Sequence, residues 1–307
     1  MPIHRILNRT LLALSRRLNR RYATLESRRQ RLERFAQLIP MPRGIRRTAI
    51  RIDSLSAEWL IPGGSPADAA ILYLHGGGYV MGSIRTHRAL AARIARAAGI
   101  QTLIIDYRLA PEHPFPAALE DAHHVYGWLL QQKIPPQRLV VAGDSAGGGL
   151  ALALLLYLRD RGEPMPAAAV CLSPWTDLAG TGASIRSKAA VDPIVPVAAL
   201  DFVARQYLQT EDAQNPYASP LYGDLHSLPP LLIHVGTHEV LLDDSLRFAE
   251  KARAAGVDVT LEVWPDMMHV WHFFAPFLPE ARQAIGEIGT FICKAIQPVI
   301  PPTHQPT

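Results

Sequence analysis

The sequence is poor in cysteine, with only Cys171 and Cys293 among its 307 residues. Two cysteines suggest no disulfide framework, so we expect a reducing compartment and a cytoplasmic location. No run of about eighteen apolar residues occurs, and the sequence therefore predicts no transmembrane helix. Charged residues make up only 19% of the chain and hydrophobic residues 49%, a balance that argues against disorder and is sufficient for a sizeable core.

The motifs of several cofactor-binding and metal-binding classes are also missing. No Gly-Lys-Ser/Thr follows the glycine-rich segment, no dinucleotide fingerprint is present, and no Cys/His cluster has a zinc-site spacing. Internal repeats and low-complexity segments are absent as well. We therefore expect no metal, no organic cofactor and no nucleic-acid partner.

Positive charge is concentrated in residues 1–51. This segment contains fourteen Arg and two Glu, a net charge of +12, so the remaining residues carry −8 within the overall +4. Its arginines and leucines predict amphipathic surface helices with solvated charges. The alternatives are a lipid-surface contact, a nucleic-acid arm or a targeting segment. Glu26, Glu33 and the continuing helical pattern argue against a transit peptide, and interrupting arginines argue against a secretory signal.

From residue 69 the sequence alternates between strand and helix patterns. Strands are predicted over 69–74, 101–106, 138–143, 167–173, 230–235 and 257–263, and helices near 86–98, 116–132, 146–161, 243–255 and 278–296. This alternation predicts the α/β class, with a mostly parallel sheet and helices on both faces. One or two edge strands are expected within residues 48–61.

The segment 179–228 interrupts the alternation. We interpret it as an insertion over the carboxyl ends of the strands, where open α/β sheets keep their sites. The predicted organisation is a helical part at 1–45, a core of 46–178 and 229–296, the insertion, and a loose tail at 297–307.

Gly143-Asp144-Ser145-Ala146-Gly147 lies between a β-branched run and an Ala- and Leu-rich run. A G-x-S-x-G between a strand and a helix is the nucleophile-elbow pattern, in which the glycines allow a sharp turn that exposes the serine. Three fixed letters match roughly one chain in ten of this length by chance, so the context must decide.

A second glycine-rich motif, His75-Gly76-Gly77-Gly78, follows the first predicted strand of the alternation. Consecutive glycines destabilise a strand through the loss of backbone entropy. They suit either a plain turn or a backbone whose N–H groups must approach a ligand closely. Acyl transfer needs N–H donors for the oxyanion of its tetrahedral intermediate. Together with the serine elbow, the motif favours an oxyanion hole.

With Asp106-Tyr-Arg-Leu-Ala-Pro-Glu-His113, these motifs resemble the hormone-sensitive-lipase family of α/β-hydrolase esterases (bacterial family IV). Further matching motifs are Ser173-Pro-Trp-Thr-Asp177, Asp192-Pro193 and Leu228-Pro-Pro-Leu-Leu232. The resemblance covers roughly residues 48–292. It implies a carboxylic-ester hydrolase with a Ser-acid-His triad and no cofactor, in an α/β-hydrolase fold. It also implies a cap formed by the N-terminal helices and the insertion, and often a homodimer.

The resemblance assigns Ser145 as nucleophile and the N–H groups of Gly77, Gly78 and Ala146 as oxyanion donors, with Gly76 permitting the turn. The base follows the acid in the chain order. The resemblance places it at His269, on a loop after the last strand. His272 is the local rival, expected instead to be packed or exposed on the next turn.

The acid has more than one candidate. The family usually has Asp-x-Leu/Met-x-Asp after the preceding strand, and the overlay puts Glu239 on the catalytic position and Asp243 on the second aspartate. Either carboxylate can orient an imidazole. Glu239 is favoured, with Asp243 as the alternative and Asp244 third, because the aspartates also suit the first turn of a helix.

Substrate contacts are predicted least sharply. Asp192 and Tyr79 are candidates for substrate binding, whereas Asp144 is expected to be a structural hydrogen-bonding residue. Several aromatic residues suit either a pocket or the core, namely Phe202, Tyr207, Trp271, Phe273 and Phe274.

We therefore expect a serine carboxylesterase that hydrolyses short- to medium-chain esters through an acyl-enzyme, with a small-molecule ester as its substrate. The alternatives are an interfacial lipase that docks through the basic N-terminal helices, a hydrolase of amides or specialised esters, and a non-catalytic binding protein on the same fold.

Overall fold

The computed structural model describes His4, residues 10–12 and residues 24–296. Most of the helical pattern in residues 1–23 and the predicted tail at 297–307 lie outside the described residues. The strands are β1 (Ile45–Ile52), β2 (Leu55–Pro62), β3 (Ala70–Leu74), β4 (Gln101–Asp106), β5 (Leu139–Asp144), β6 (Ala168–Leu172), β7 (Leu231–His238) and β8 (Val259–Met268). The helices are α1 (Leu25–Ala36), α2 (Ile84–Ala98), α3 (Ala117–Gln131), α4 (Ala146–Asp160), α5 (Ser184–Ser187), α6 (Val197–Leu208), α7 (Leu242–Ala254) and α8 (Pro279–Ala295).

The eight strands form one sheet in the order β1-β2-β4-β3-β5-β6-β7-β8. β2 pairs antiparallel with both β1 and β4, and every other neighbouring pair is parallel. The central strands are buried on both faces, as their continuous apolar sequences require. The predicted α/β class with a mostly parallel sheet is confirmed.

Alternate residues of β3 enter two different clusters of the core. Leu72 and Leu74 pack into the cluster that contains α3, α4 and α7, whereas Ile71 and Tyr73 pack into the cluster that contains α2 and α8. Since successive side chains of a strand point to opposite faces, the sheet separates two helical layers.

The helix boundaries follow local sequence signals. α2 begins after Ser83, whose Oγ accepts the N–H of Thr86 in a capping box, and ends before Gly99, which has a φ of +65°.

β8 extends five residues beyond its predicted end, across Pro265 to Met268. It lies at the edge of the sheet, and its register with β7 shifts between Gly236 and His238. A proline has no N–H to pair, so an irregular edge strand can accommodate one. Beyond the shift, His238 pairs with Met268, which brings the residues that follow the two strands together.

Candidate active site

Four polar residues follow four neighbouring strands at the carboxyl edge of the sheet. Ser145 follows β5, Ser173 follows β6, Glu239 comes just after β7, and His269 comes directly after β8. Because these strands are consecutive neighbours and parallel, their ends converge on one side of the sheet. Residues that are far apart in the sequence are thus brought to a single site.

The turn that carries Ser145 depends on two close backbone approaches. A Cβ on Gly143 would lie 2.2 Å from the carbonyl oxygen of Gly147, and a Cβ on Gly147 would lie 2.1 Å from that of Leu74. Ser145 itself has a φ of 54°, an uncommon backbone conformation for a side chain other than glycine. Its N–H donates to the carbonyl of Leu172 in the neighbouring strand at 2.8 Å. The serine is half-buried, so a small molecule can reach it.

His269 and Glu239 form a buried pair. The Nδ1 atom of His269 lies 2.9 Å from Oε2 of Glu239, and the glutamate is fully buried. Burial lowers the pKa of His269, but the hydrogen bond and the charge of Glu239 outweigh it, so the pKa lies above the ordinary histidine value. With Nδ1 held by the carboxylate, Nε2 is left for proton transfer.

The second oxygen of Glu239 is held by two donors. Oε1 accepts the N–H of Gly236 at 2.6 Å and the hydroxyl of Ser173 at 2.8 Å. Ser173 also accepts the N–H of Val270 at 3.2 Å, so one hydroxyl joins the acid to the histidine loop. Ser173 has a φ of 47° and is fully buried. The motif of Ser173 is visible in the sequence, but these contacts become apparent only from the order of the strands.

The glycine-rich loop after β3 lies beside the serine turn, because β3 and β5 are neighbours. Gly77 and Gly78 have φ values of +121° and +64°. Within the described part of the chain, the N–H groups of Gly77, Gly78 and Ala146 donate to no protein acceptor. The two glycines are half-buried. Their amides are therefore available to an incoming oxygen atom.

Comparison with known proteins identifies the family of the chain. The model of a family described as having the α/β-hydrolase fold matches residues 71–273. An acetyl-hydrolase of Streptomyces hygroscopicus is 49% identical over 243 residues, which cover 79% of this chain and 81% of that protein. An esterase of Acinetobacter venetianus is 39% identical over 262 residues, covering 85% and 86%.

A crystal structure of an esterase from the bacterial hormone-sensitive-lipase family superposes with a TM-score of 0.89. That esterase is 47% identical, and the match covers 94% of this chain and 98% of the other. The chain belongs to the hormone-sensitive-lipase family of α/β-hydrolases.

The other two candidates for the acid in this family member, Asp243 and Asp244, accept hydrogen bonds from backbone N–H groups. Asp243 accepts the N–H of Ser184 at 2.8 Å. Asp244 is fully buried and accepts the N–H groups of Thr176 and Asp177 at 2.8 and 2.9 Å. The carboxylate that contacts His269 Nδ1 is that of Glu239.

Asp192 lies close to the acid loop. Its Oδ2 accepts the N–H of Val240 at 2.9 Å, and its Oδ1 accepts the N–H groups of Ile194 and Val195. Burial raises the pKa of Asp192 even though the charge of His269 acts in the opposite direction. The segment that contains Asp192 is thereby tied to Val240, the residue that follows Glu239.

The candidate Tyr79 packs against α6. Its ring stacks on Tyr207 of α6 with centroids 3.9 Å apart, and it is buried. Val203 of the same helix lies 3.0 Å from the position of a Cβ on Gly78. Helix α6 of this hormone-sensitive-lipase family member therefore lies directly against the glycine-rich loop.

His272 is fully buried beside another histidine, with its Nε2 atom 3.2 Å from Nδ1 of His234. Burial lowers the pKa of His272 well below the ordinary value, with the charges of His234 and His269 acting in the same direction. Of the remaining aromatic residues, Trp271 and Phe274 are buried and Phe202 is exposed.

Among the described residues, no group of three or more His, Cys, Asp and Glu side chains could hold a metal ion. None of the helices in the described ranges is both long and apolar enough to cross a bilayer.

Proposed function

We propose that this carboxylic-ester hydrolase is a serine esterase that works through an acyl-enzyme at Ser145. The observation that carries the proposal is the buried 2.9 Å contact between His269 and Glu239, at the same sheet edge as the Ser145 turn. Either a lipase or an esterase of this family would use the same chemistry, so the substrate's chain length is a separate part of the proposal.

The reaction runs in two halves. Nε2 of His269 takes the proton of Ser145 Oγ while Oγ bonds to the ester carbonyl carbon. The N–H groups of Gly77, Gly78 and Ala146 stabilise the oxyanion. The carbon–oxygen bond to the alcohol then breaks, and the leaving alkoxide takes the proton from His269. Water repeats the sequence on the acyl-enzyme and releases the carboxylic acid. Glu239 keeps the imidazole oriented and stabilises its cationic form.

The contacts between α6 and the glycine-rich loop support short- to medium-chain esters as the substrates. Val203 approaches the Gly78 backbone, and the stacked rings of Tyr79 and Tyr207 fill the region beneath α6. These contacts leave the cap close to the oxyanion loop. The acetyl-hydrolase among the relatives is named for a small acyl group.

The test is hydrolysis of p-nitrophenyl esters from acetate to palmitate, with emulsified long-chain triglyceride as a further substrate. We expect turnover to be highest on short and medium chains. Ser145→Ala should lower kcat by about 10⁴-fold or more, since the nucleophile is lost. Unchanged turnover in that variant would refute the acyl-enzyme mechanism.

An interfacial lipase is the second candidate function. It is favoured by two apolar side chains at the end of the basic helix α1, because Phe35 is 39% exposed and Leu38 is 73% exposed. Exposed apolar side chains on a basic helix suit an anionic lipid surface. Higher turnover on the emulsified triglyceride than on butyrate would establish this candidate in place of the first.

A cytoplasmic location and a homodimer are further parts of the proposal. The first is supported by the two cysteines, both of which are free thiols. The second derives from the family resemblance alone, and light scattering of the purified protein tests it.

A further inference from the structure

Asp144 is a buried carboxylate that lies between the serine turn and the oxyanion loop, outside the triad. Its side chain is 2% exposed. Oδ1 accepts the hydroxyl of Tyr73 at 2.7 Å and the N–H of Gly76 at 3.1 Å. Oδ2 lies 3.2 Å from Nε2 of His87. Thus both oxygens have partners, and one partner is the first glycine of the loop.

The surroundings of Asp144 favour its anionic form. Burial alone would raise its pKa, but the charge and hydrogen bond of His87 and the hydrogen bond of Tyr73 outweigh burial, so the pKa is lowered. His87 is itself buried, and its Nδ1 lies 2.6 Å from the hydroxyl of Thr86. Both nitrogens of this imidazole therefore have partners, which fixes the ring against the carboxylate.

The glycine loop fits closely around this carboxylate. A Cβ on Gly76 would lie 2.3 Å from Oδ2 of Asp144, so no other residue fits there without displacing the side chain. The loop then closes on itself, because the carbonyl of Gly77 accepts the N–H groups of Val80 and Met81. These contacts restrict the movement of the glycine-rich loop relative to Asp144, which holds the loop at Gly76.

Asp144 directly precedes the nucleophile Ser145 in the sequence. Any shift of the Gly76 backbone relative to Asp144 therefore changes the distance between Ser145 Oγ and the N–H groups of Gly77 and Gly78. Oxyanion stabilisation depends strongly on that geometry, since the donors must reach the tetrahedral oxygen at hydrogen-bond distance.

We propose that Asp144, held by His87 and Tyr73, is the positioning residue that fixes the oxyanion donors against the nucleophile. This inference rests on the proposed function, because it requires Gly77 and Gly78 to bind the oxyanion. It assigns to Asp144 and His87 an effect on the transition state rather than on substrate binding.

The test compares Asp144→Ala, Asp144→Asn, His87→Ala and Tyr73→Phe on p-nitrophenyl butyrate. Inhibition by a trifluoromethyl ketone reports the oxyanion hole, because this inhibitor forms a tetrahedral adduct with the serine. We expect Asp144→Ala to lower kcat by about 100-fold with KM within about threefold, and to weaken inhibitor binding by a similar factor. Asn retains an acceptor for the N–H of Gly76, so we expect kcat of Asp144→Asn to be about tenfold higher than that of Asp144→Ala.

Tyr73→Phe keeps the ring and removes one donor, and we expect a loss in kcat of about three- to tenfold. His87→Ala should lie between Tyr73→Phe and Asp144→Ala. Tyr126→Phe is the matched control, because its buried hydroxyl donates to the carbonyl of Pro164, far from this loop. That control should leave both kcat and inhibitor binding unchanged.

The outcomes separate the two proposals. Full activity in Ser145→Ala would remove the proposed function and this inference with it. If Ser145→Ala is inactive but Asp144→Asn and Tyr73→Phe match the parent in kcat and inhibitor binding, the inference alone is wrong. It is also wrong if the losses appear in KM while inhibitor binding is unchanged. If Asp144→Ala does not fold, the asparagine and phenylalanine variants decide the result.

Discussion

The two carboxylate oxygens of Glu239 make different contacts. Oε2 faces His269, while Oε1 is fixed by Gly236 and by the Ser173 hydroxyl. A longer side chain than aspartate must be held more firmly to aim one oxygen, because it has an additional rotatable bond. Ser173 and Gly236 supply that restraint at this site.

The pH dependence of catalysis tests the acid assignment. The base must be neutral, so kcat/KM should fall as the pH decreases through the raised pKa of His269, with a midpoint above 6.5. Glu239→Gln removes the charge that stabilises the imidazolium, whereas burial still disfavours it. The midpoint should therefore move to lower pH, and kcat should fall by about 10²- to 10⁴-fold.

Asp243→Asn is the matched control for this measurement, because its oxygen can still accept the N–H of Ser184. We expect its pH profile to follow that of the parent. A shifted profile in Asp243→Asn alongside an unshifted one in Glu239→Gln would assign the acid to Asp243.

The sequence alone predicts motifs whose residues are adjacent in the chain, but it does not predict contacts between residues on different strands. The serine elbow and the glycine loop each belong to a single strand end, so their spacing is visible in the chain. Ser173 contacts Glu239 after β7, His87 contacts Asp144 at the end of β5, and nothing in the local sequence of either residue identifies its partner. The order of the strands supplies that information.

At the scale of elements, the guanidinium group of Arg29 is one of several contacts that attach α1 to the body of the protein, together with the hydrogen bond between Glu33 and the Ser83 hydroxyl. Arg29 donates from Nε to the carbonyl of Val80 at 2.7 Å and from Nη2 to that of Ala110 at 3.0 Å. It also pairs with Glu112 through two nitrogen–oxygen contacts. The helix is thereby connected to the segment after the glycine-rich loop and to the segment after β4.

Arg29→Ala should therefore destabilise the protein by about 1–3 kcal/mol, because two backbone carbonyls lose their donor. Thermal unfolding measures the effect. Arg34→Ala, on an exposed position of the same helix, is the control and should change stability by no more than about 0.5 kcal/mol. Equal effects in both variants would show that Arg29 contributes nothing beyond helix propensity.

The strand boundaries show where periodicity misleads. The central strands matched their predicted limits to within a residue because buried parallel strands have sharp apolar ends. β8 extends past Pro265, since an edge strand requires fewer paired N–H groups. That extension brings His269 opposite Glu239. The site therefore depends on the end of β8, which the sequence predicts least accurately.

At the scale of the whole molecule, a buried carboxyl of α7 influences stability across the pH range. Burial raises the pKa of Asp244 to about 8. The folded protein therefore binds a proton that the unfolded chain releases at acidic pH, and the contribution of Asp244 to stability falls as the pH rises from about 4 to about 8.

Asp244→Asn should remove this pH dependence, because the amide oxygen can accept the N–H groups of Thr176 and Asp177 without acquiring charge. We expect the difference in Tm between the variant and the parent to move in the variant's favour from pH 5 to pH 8. Asp243→Asn, at the half-buried neighbouring position, provides the comparison. A difference in Tm that stays constant with pH would show that Asp244 is ionised in the folded protein.

The distribution of the site over successive strand ends has a consequence for synthesis of the chain. Ser173 and Val270 are in contact although they lie 97 positions apart in the sequence. A growing polypeptide on the ribosome carries the nucleophile long before it carries β8 and the base. The contact between His269 and Glu239 therefore cannot form until translation has passed β8, long after the turn that carries Ser145 has been synthesised.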